Sequence, residues 1–372
     1  MRFSLLQENL IRAISVTGRV ISSTPQLPVL GNIFIKTQGQ AAIFVGTNLE
    51  TTVFFQVPAK VEEPGEITVP AKTMTEFVGT LEAGKVVLED KNNQLQVVSQ
   101  HGRASFATLP SKDFPAKEMP QPQKKGKTSL VLSAGQLLGG GRKVVFAAAA
   151  DETRPVLAGA LFQFEKAKLR LVATDGYRLS LVTLSQSAGE ERPPMIVPAS
   201  ALRELERGIK GEEAVRLFFD EEGRQVYFSQ GNMVVGSRLI EGDFPDYQRI
   251  LPKDARTRAE VDRESLIQAV KAAATFAKES ANIVKMTLGP KQVRLSASAA
   301  QSGEGEVRLP QATITGEDTE IAFNYRFLLE ALAAFEGERI TIEASGGLAP
   351  AKFTDPKDPG FVHIIMPVRL QG

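Results

Sequence analysis

Leu27-Pro28-Val29-Leu30-Gly31-Asn32 returns 127 positions later as Arg154-Pro155-Val156-Leu157-Ala158-Gly159, and this echo decides the architecture. Working outward, Val45-Gly46-Thr47-Asn48 is matched at the same offset by Val172-Ala173-Thr174-Asp175. Val69-Pro70-Ala71 returns as Val197-Pro198-Ala199 and Asp113-Phe114-Pro115 as Asp243-Phe244-Pro245, at offsets of 128 and 130. Echoes in one order with nearly constant spacing mean that the two segments share a fold. A third, more diverged segment keeps the pattern. Ile321-Ala322-Phe323-Asn324-Tyr325 followed by Leu328, Leu329 and Leu332 lies about where Ile196-Val197-Pro198-Ala199 followed by Leu202 and Leu205 puts it.

The joints are also legible. Met119-Pro120-Gln121-Pro122-Gln123-Lys124-Lys125-Gly126-Lys127 combines prolines with charge and has no apolar period, which reads as an extended linker. Leu251-Pro252-Lys253-Asp254-Ala255-Arg256-Thr257 has the same character. The expected domains are 1–122, 128–252 and 257–372, in keeping with a chain of 372 residues that is too long for one core.

Within each repeat the pattern predicts an amphipathic helix, strands, a second helix and more strands. Leu6, Leu10, Ile14 and Ile21 recur at helical intervals, with Arg12, Ser15 and Arg19 on another face. Met74, Phe77, Val78 and Leu81 mark the second helix, with Lys72 outside the stripe. In the second repeat Leu202, Leu205 and Ile209 face inward, while Arg203, Arg207 and Lys210 form a polar stripe. In the third, Leu266, Ala269, Val270 and Ala273 are the apolar side, Lys271 and Lys278 stand two turns apart, and a second helix runs from about Tyr325 to Phe335. Val284–Leu288 and Val293–Ser296 read as strands around a Gly289-Pro290 turn, and Val215–Phe219 with Val226–Phe228 as a hairpin. The fold class is α+β, with two helices covering an antiparallel sheet in each domain. One stretch departs from the pattern. The helix expected over Ala134 to Ala150 contains Gly139-Gly140-Gly141, each costing about 1 kcal/mol relative to Ala, so it is expected to be weak or bent. No Lys-Ser or Lys-Thr follows to make it a phosphate loop.

Composition excludes several kinds of chemistry. With no cysteine there are no disulfides, thiolate metal sites or thiol nucleophiles. The start of the chain does not read as a signal peptide, and the longest apolar stretch, Val144 to Ala150, is too short to span a bilayer, so a cytoplasmic protein without a membrane partner is expected. The two histidines, His101 and His363, lie in different repeats and in no triad or ligand motif. No nucleotide loop, metalloprotease helix or nucleophile elbow occurs, and neither a cofactor nor a metal is expected. A formal charge of +1 means that any nucleic-acid contact depends on local placement of Lys and Arg. Two other readings stay open to the residues alone: an enzyme using paired carboxylates, and a monomeric peptide-binding module.

The sharpest local feature is Thr174-Asp175-Gly176-Tyr177-Arg178-Leu179. Its first-repeat counterpart, Thr47-Asn48-Leu49-Glu50-Thr51, lacks the Gly-Tyr-Arg content. Taken with Gly242-Asp243-Phe244-Pro245-Asp246-Tyr247 and the C-terminal Met366-Pro367-Val368-Arg369-Leu370, in this order and spacing, the chain resembles the bacterial DNA polymerase III beta subunits, the sliding clamps, over essentially its whole length. The resemblance implies three DNA-clamp domains in a ring-forming head-to-tail homodimer that encircles double-stranded DNA without sequence preference. It also implies a processivity factor with no reaction of its own, partnered by the replicative polymerase, the clamp loader and other proteins carrying a clamp-binding motif, and associated with the nucleoid.

Carried over by position, a cleft between the second and third domains is implied at Leu157, Thr174, Gly176, Tyr177, Arg178, Leu179, Pro245, Arg249, Ile250, Leu348, Pro350, Ile364, Ile365, Met366, Pro367, Val368, Arg369 and Leu370. Such a cleft captures short, largely apolar peptides. Tyr177 stands where a His is familiar, Pro350 where a Ser is, and Thr24 where a basic DNA-touching residue is. The DNA-facing expectation therefore rests on the helix stripes: Arg12, Arg19, Lys72, Arg142, Lys143, Arg203, Arg207, Lys210, Lys271 and Lys278. Phe106 and Phe276 are the expected apolar contacts of the dimer seam.

Overall fold

The computed structural model describes residues 1–121, 130–151, 153–185, 192–290, 292–309 and 311–369. The linker expected over Met119–Lys127 falls mostly outside them. Two compact units result, one of residues 1–138 with 200–239 and the other of 139–199 with 240–372.

In the first unit, helices α1 (Gln7–Gly18) and α2 (Ala71–Thr80) pack on each other and α1 covers strands Ala41–Thr47 and Thr51–Pro58. Leu10, Ala13, Ile14, Val16 and Met74, Val78 form the buried stripes, as the helical period requires. A short strand, Arg2–Leu6, precedes α1, an element the helical reading of Leu6 overlooked. It lies second in a five-stranded sheet that ends at Arg103–Ala107. The second sheet has eight strands. Four come from the first repeat, and the rest, Leu130–Leu132, Val215–Phe219, Gln225–Gln230 and Met233–Arg238, from the middle one. The two sets join where Met233–Ser237 pair antiparallel with Phe55–Thr51.

The second unit repeats this plan. Strands Gly159–Glu165, Lys168–Thr174, Arg178–Ser185 and Arg192–Pro198 continue into third-repeat strands, giving a nine-stranded sheet. Here the joint pairs Arg178–Val182 with Ile365–Phe361. A four-stranded sheet ends at Gly303–Leu309. The compact units therefore cut through the middle repeat, because backbone ladders tie its halves to different neighbours.

Helix α3 (Ala134–Val145) contains the glycine run and ends five residues earlier than the sequence period suggested. Gly140 explains why the run is tolerated: a Cβ there would come within 3.0 Å of Leu184 and 3.1 Å of Leu171, so the bare backbone lets helix and sheet approach closely. Helix α4 spans Ala199–Gly208. Helix α5 (Arg263–Ala277) is capped by Asp262, whose carboxylate accepts from Ser265 N at 2.8 Å, and packs on α6 (Tyr325–Ala334), itself capped by Asn324. The hairpin Val215–Phe219 with Gln225–Gln230 and the strands Ile283–Gly289 and Gln292–Ala299 form where alternation placed them.

Candidate functional site

The Thr174–Arg178 turn is built from its own side chains. Thr174 Oγ1 donates to Arg178 O at 2.6 Å and accepts from Gly176 N at 3.0 Å. Asp175 Oδ1 accepts from the backbone N of Tyr177 and Arg178 at 2.9 and 3.0 Å. Gly176 sits at φ 92°, a conformation that favours glycine. The result pushes Tyr177 into solvent, 67% exposed.

Arg178 points the other way and is buried. Its Nε donates to Asp175 Oδ2 at 3.0 Å, Nη2 to Phe146 O at 2.6 Å, and Nη1 to Glu330 on α6. The guanidinium also lies 4.5 Å from the Phe327 ring centre and 5.4 Å from that of Phe146. With each of its three nitrogens bonded to one of these partners and its side chain buried, Arg178 holds the turn in place. Behind it, buried His363 shares a 2.7 Å hydrogen bond between Nδ1 and Ser180 Oγ, while its Nε2 has no partner among the described residues. Burial, reinforced by the Arg178 charge, lowers its pKa to about 3, so the ring is neutral.

The C-terminal segment crosses beside the turn. Met366 N donates to Tyr177 O at 2.8 Å and Val368 N to Ala322 O at 2.8 Å, so it is anchored twice. Beneath lies an apolar bed in which Leu179, Ile364, Val172, Leu181 and Tyr247 pack with Phe244 and Ile250. The expected cleft residues divide by exposure. Leu157, Thr174, Leu179, Ile364 and Ile365 are buried. Tyr177, Leu348, Met366, Pro245 and Arg249 are exposed, and Gly176, Ile250, Pro350, Pro367, Val368 and Arg369 have at least part of their surface open. Leu370 lies outside the described residues. Glu330, Phe327 and Phe146, which hold Arg178, were missed. An arginine flanked by an acid at i−3 was the available signal, but it does not point to a distant helix.

Of the expected basic residues, Arg12, Arg19, Lys72, Arg142, Arg203, Arg207, Lys210, Lys271 and Lys278 are exposed on or just after their helices. Arg19 donates to Arg207 O at 3.1 Å, and Arg207 pairs with Glu204 at 2.7 Å. Lys143 differs. It is 15% exposed, ion-paired with Asp358 at 2.9 Å and Glu336 at 3.7 Å, and is held inside its own unit. Arg326, exposed at the second position of α6 as Lys72 is on α2, was overlooked, and that shared position was the signal. Phe106 packs edge-on against Phe77 at 5.9 Å and is almost fully covered by its own domain. Phe276, half-buried, lies over Gly305, where a Cβ would come within 2.3 Å of its ring.

A polar recess of about 620 Å³ in the last domain bears on the paired-carboxylate reading. Its wall sets Glu304 and Glu306 among Lys285 and Arg294, with Arg294 3.5 Å from Glu306. Among the described residues no group of three or more His, Asp or Glu is placed to hold a metal ion, and no helix is long and apolar enough to cross a membrane.

Three family models match in succession: the N-terminal domain of the DNA polymerase III beta subunit over residues 1–119, its central domain over 140–246 and its C-terminal domain over 248–369. The beta sliding clamp of Synechococcus elongatus is 30% identical over 382 residues, covering 100% of both chains. Among solved structures, the DNA polymerase sliding clamp of Bacillus subtilis superposes with a TM-score of 0.94 at 26% identity, and the DNA polymerase III subunit beta of Pseudomonas aeruginosa with 0.93 at 26%, each covering 100% of both chains.

Proposed function

The chain belongs to the DNA polymerase III beta subunit family, and from that membership we propose that it is a processivity clamp whose two copies close head to tail around duplex DNA. The observation that carries this reading is the succession of three domains of one family along the whole chain. Attachment is by enclosure, so the factor tethers the replicative polymerase while performing no reaction itself. A ring that slides needs only diffuse attraction to phosphates, which suits a formal charge of +1.

We assign the phosphate-facing role to the exposed basic residues of the helices, with Arg326 added and Lys143 reduced to a structural part. The partner peptide docks over the apolar bed between Tyr177, Leu348 and Met366, with Pro245 and Arg249 beside it. The seam joins the free edges Arg103–Ala107 of one chain and Gly303–Leu309 of its partner, near Phe106 and Phe276. The segments 1–122, 128–252 and 257–372 are the three repeats, and the protein works in the cytoplasm on the nucleoid. The polymerase, the clamp loader and other proteins bearing a clamp-binding motif take turns on the same groove.

The test is to load the protein on nicked circular DNA and then cut the circle. Retention on the circle with loss from the linear form is expected; equal retention on both would mean ordinary binding and reject enclosure.

A further inference from the structure

The first unit contains the framework of the peptide groove a second time. Its Thr47–Thr51 turn uses the same bonds: Asn48 Oδ1 accepts from the N of Glu50 and Thr51 at 3.1 and 2.7 Å, and Leu49 N donates to Thr47 Oγ1 at 3.1 Å. Arg238 N donates to Glu50 O at 2.9 Å, as Met366 N does to Tyr177 O. Strand register then fixes the correspondence without ambiguity. Thr51 pairs with Ser237 and Thr52 with Gly236, as Arg178 pairs with Ile365 and Leu179 with Ile364. One strand further, Gly236 faces Tyr227 and Tyr227 faces Phe218, where Ile364 faces Lys352 and Lys352 faces Glu343.

The same places hold different chemistry. In the second unit Glu343 and Lys352 form a 2.8 Å ion pair beside an isoleucine that belongs to the apolar bed. In the first, Phe218 and Tyr227 stack at 5.2 Å and pack on the equivalent bed of Val29, Leu30, Phe54 and Phe114. The Tyr227 ring lies so close to Gly236 that a Cβ there would meet it at 2.8 Å. The side chain absent at Gly236 is replaced by that ring, and its burial raises the phenol pKa above the ordinary value. At the rim, Glu50 and Arg238 stand for Tyr177 and Met366.

We propose that Tyr227, backed by Phe218, is a built-in occupant of this second groove, taking the place that a partner peptide's apolar side chain takes in the other unit, so that each chain offers one peptide site and not two. This rests on the groove reading given above. The physical reason is that an intramolecular aromatic ring, already ordered by its strand, needs no association entropy and outcompetes a peptide at ordinary concentrations.

The test is calorimetric titration of the full-length protein with a leucine- and phenylalanine-rich octapeptide. Wild type should take one peptide per chain. Tyr227→Ala should take two, the second about tenfold more weakly because the charged rim remains, a difference of about 1.4 kcal/mol. The added site should survive Met366→Asp, which removes the first. The reverse transplant, Glu343→Phe with Lys352→Tyr and Ile364→Gly, should abolish the original site in a chain that still folds and keeps its dimer mass, with a lower Tm because Ile364 is buried. Two sites in wild type, or a single site in folded Tyr227→Ala together with undiminished binding by the reverse transplant, would overturn the proposal while leaving the groove reading intact. No binding by wild type would remove the groove reading and this inference with it.

Discussion

His363 couples the strand beside Arg178–Val182 to acid. Its pKa is about 3 in the folded chain against 6.5 for an ordinary histidine, first through burial and then through Arg178. A group whose folded pKa is depressed gives stability that is complete above the unfolded value and is lost as pH falls toward the folded one. The window is therefore pH 6.5 down to about 3, and the size of the depression corresponds to several kcal/mol. Thermal denaturation from pH 7 to pH 4 should show wild type losing more Tm than His363→Gln, which keeps polarity near Ser180 without a titrating ring. Equal losses would mean that other groups govern acid sensitivity. At this scale the sequence marks residue types better than roles. Arg178 stands out in the sequence within Thr174–Leu179, but its bond to Glu330 depends on a helix about 150 residues away, which no local pattern reports. Lys143 is similar, since an amphipathic stripe cannot show that Asp358 and Glu336 wait beside it.

Among the elements, α3 separates two effects of glycine. Gly139 has open space where a Cβ would go among the described residues, whereas Gly140 faces Leu171 and Leu184. Gly139→Ala should therefore stabilise the protein by about 1 kcal/mol, the full helix-propensity gain. Gly140→Ala should gain little or lose, because the same gain is offset by crowding. Chemical denaturation of the two variants checks this, and equal effects would contradict the close-approach account. Helical periods marked the six α-helices of the described residues and alternation marked four of the strands, because burial on one face imposes these periods. The short strands before α1, α3 and α5 were harder to foresee, since three to six residues carry little period and are fixed by pairing with distant partners.

For the whole molecule, repetition was the most informative signal: echoes at nearly constant spacing predicted equivalent folds before any strand had been placed. What repetition could not show is how neighbouring copies join. That depends on edge-to-edge pairing, and a strand's alternation looks the same whichever chain segment it meets. The eight- and nine-stranded sheets each cross a joint between repeats through a continuous ladder of five residue pairs. Excising the middle repeat would tear two sheets at once and leave two raw rows of amide and carbonyl groups, so a fragment of residues 128–252 expressed alone should precipitate or cross-pair with itself. Larger pieces that end at a natural margin should stay dispersed. Copies laced together in this way cannot be separated without opening a ladder in each sheet.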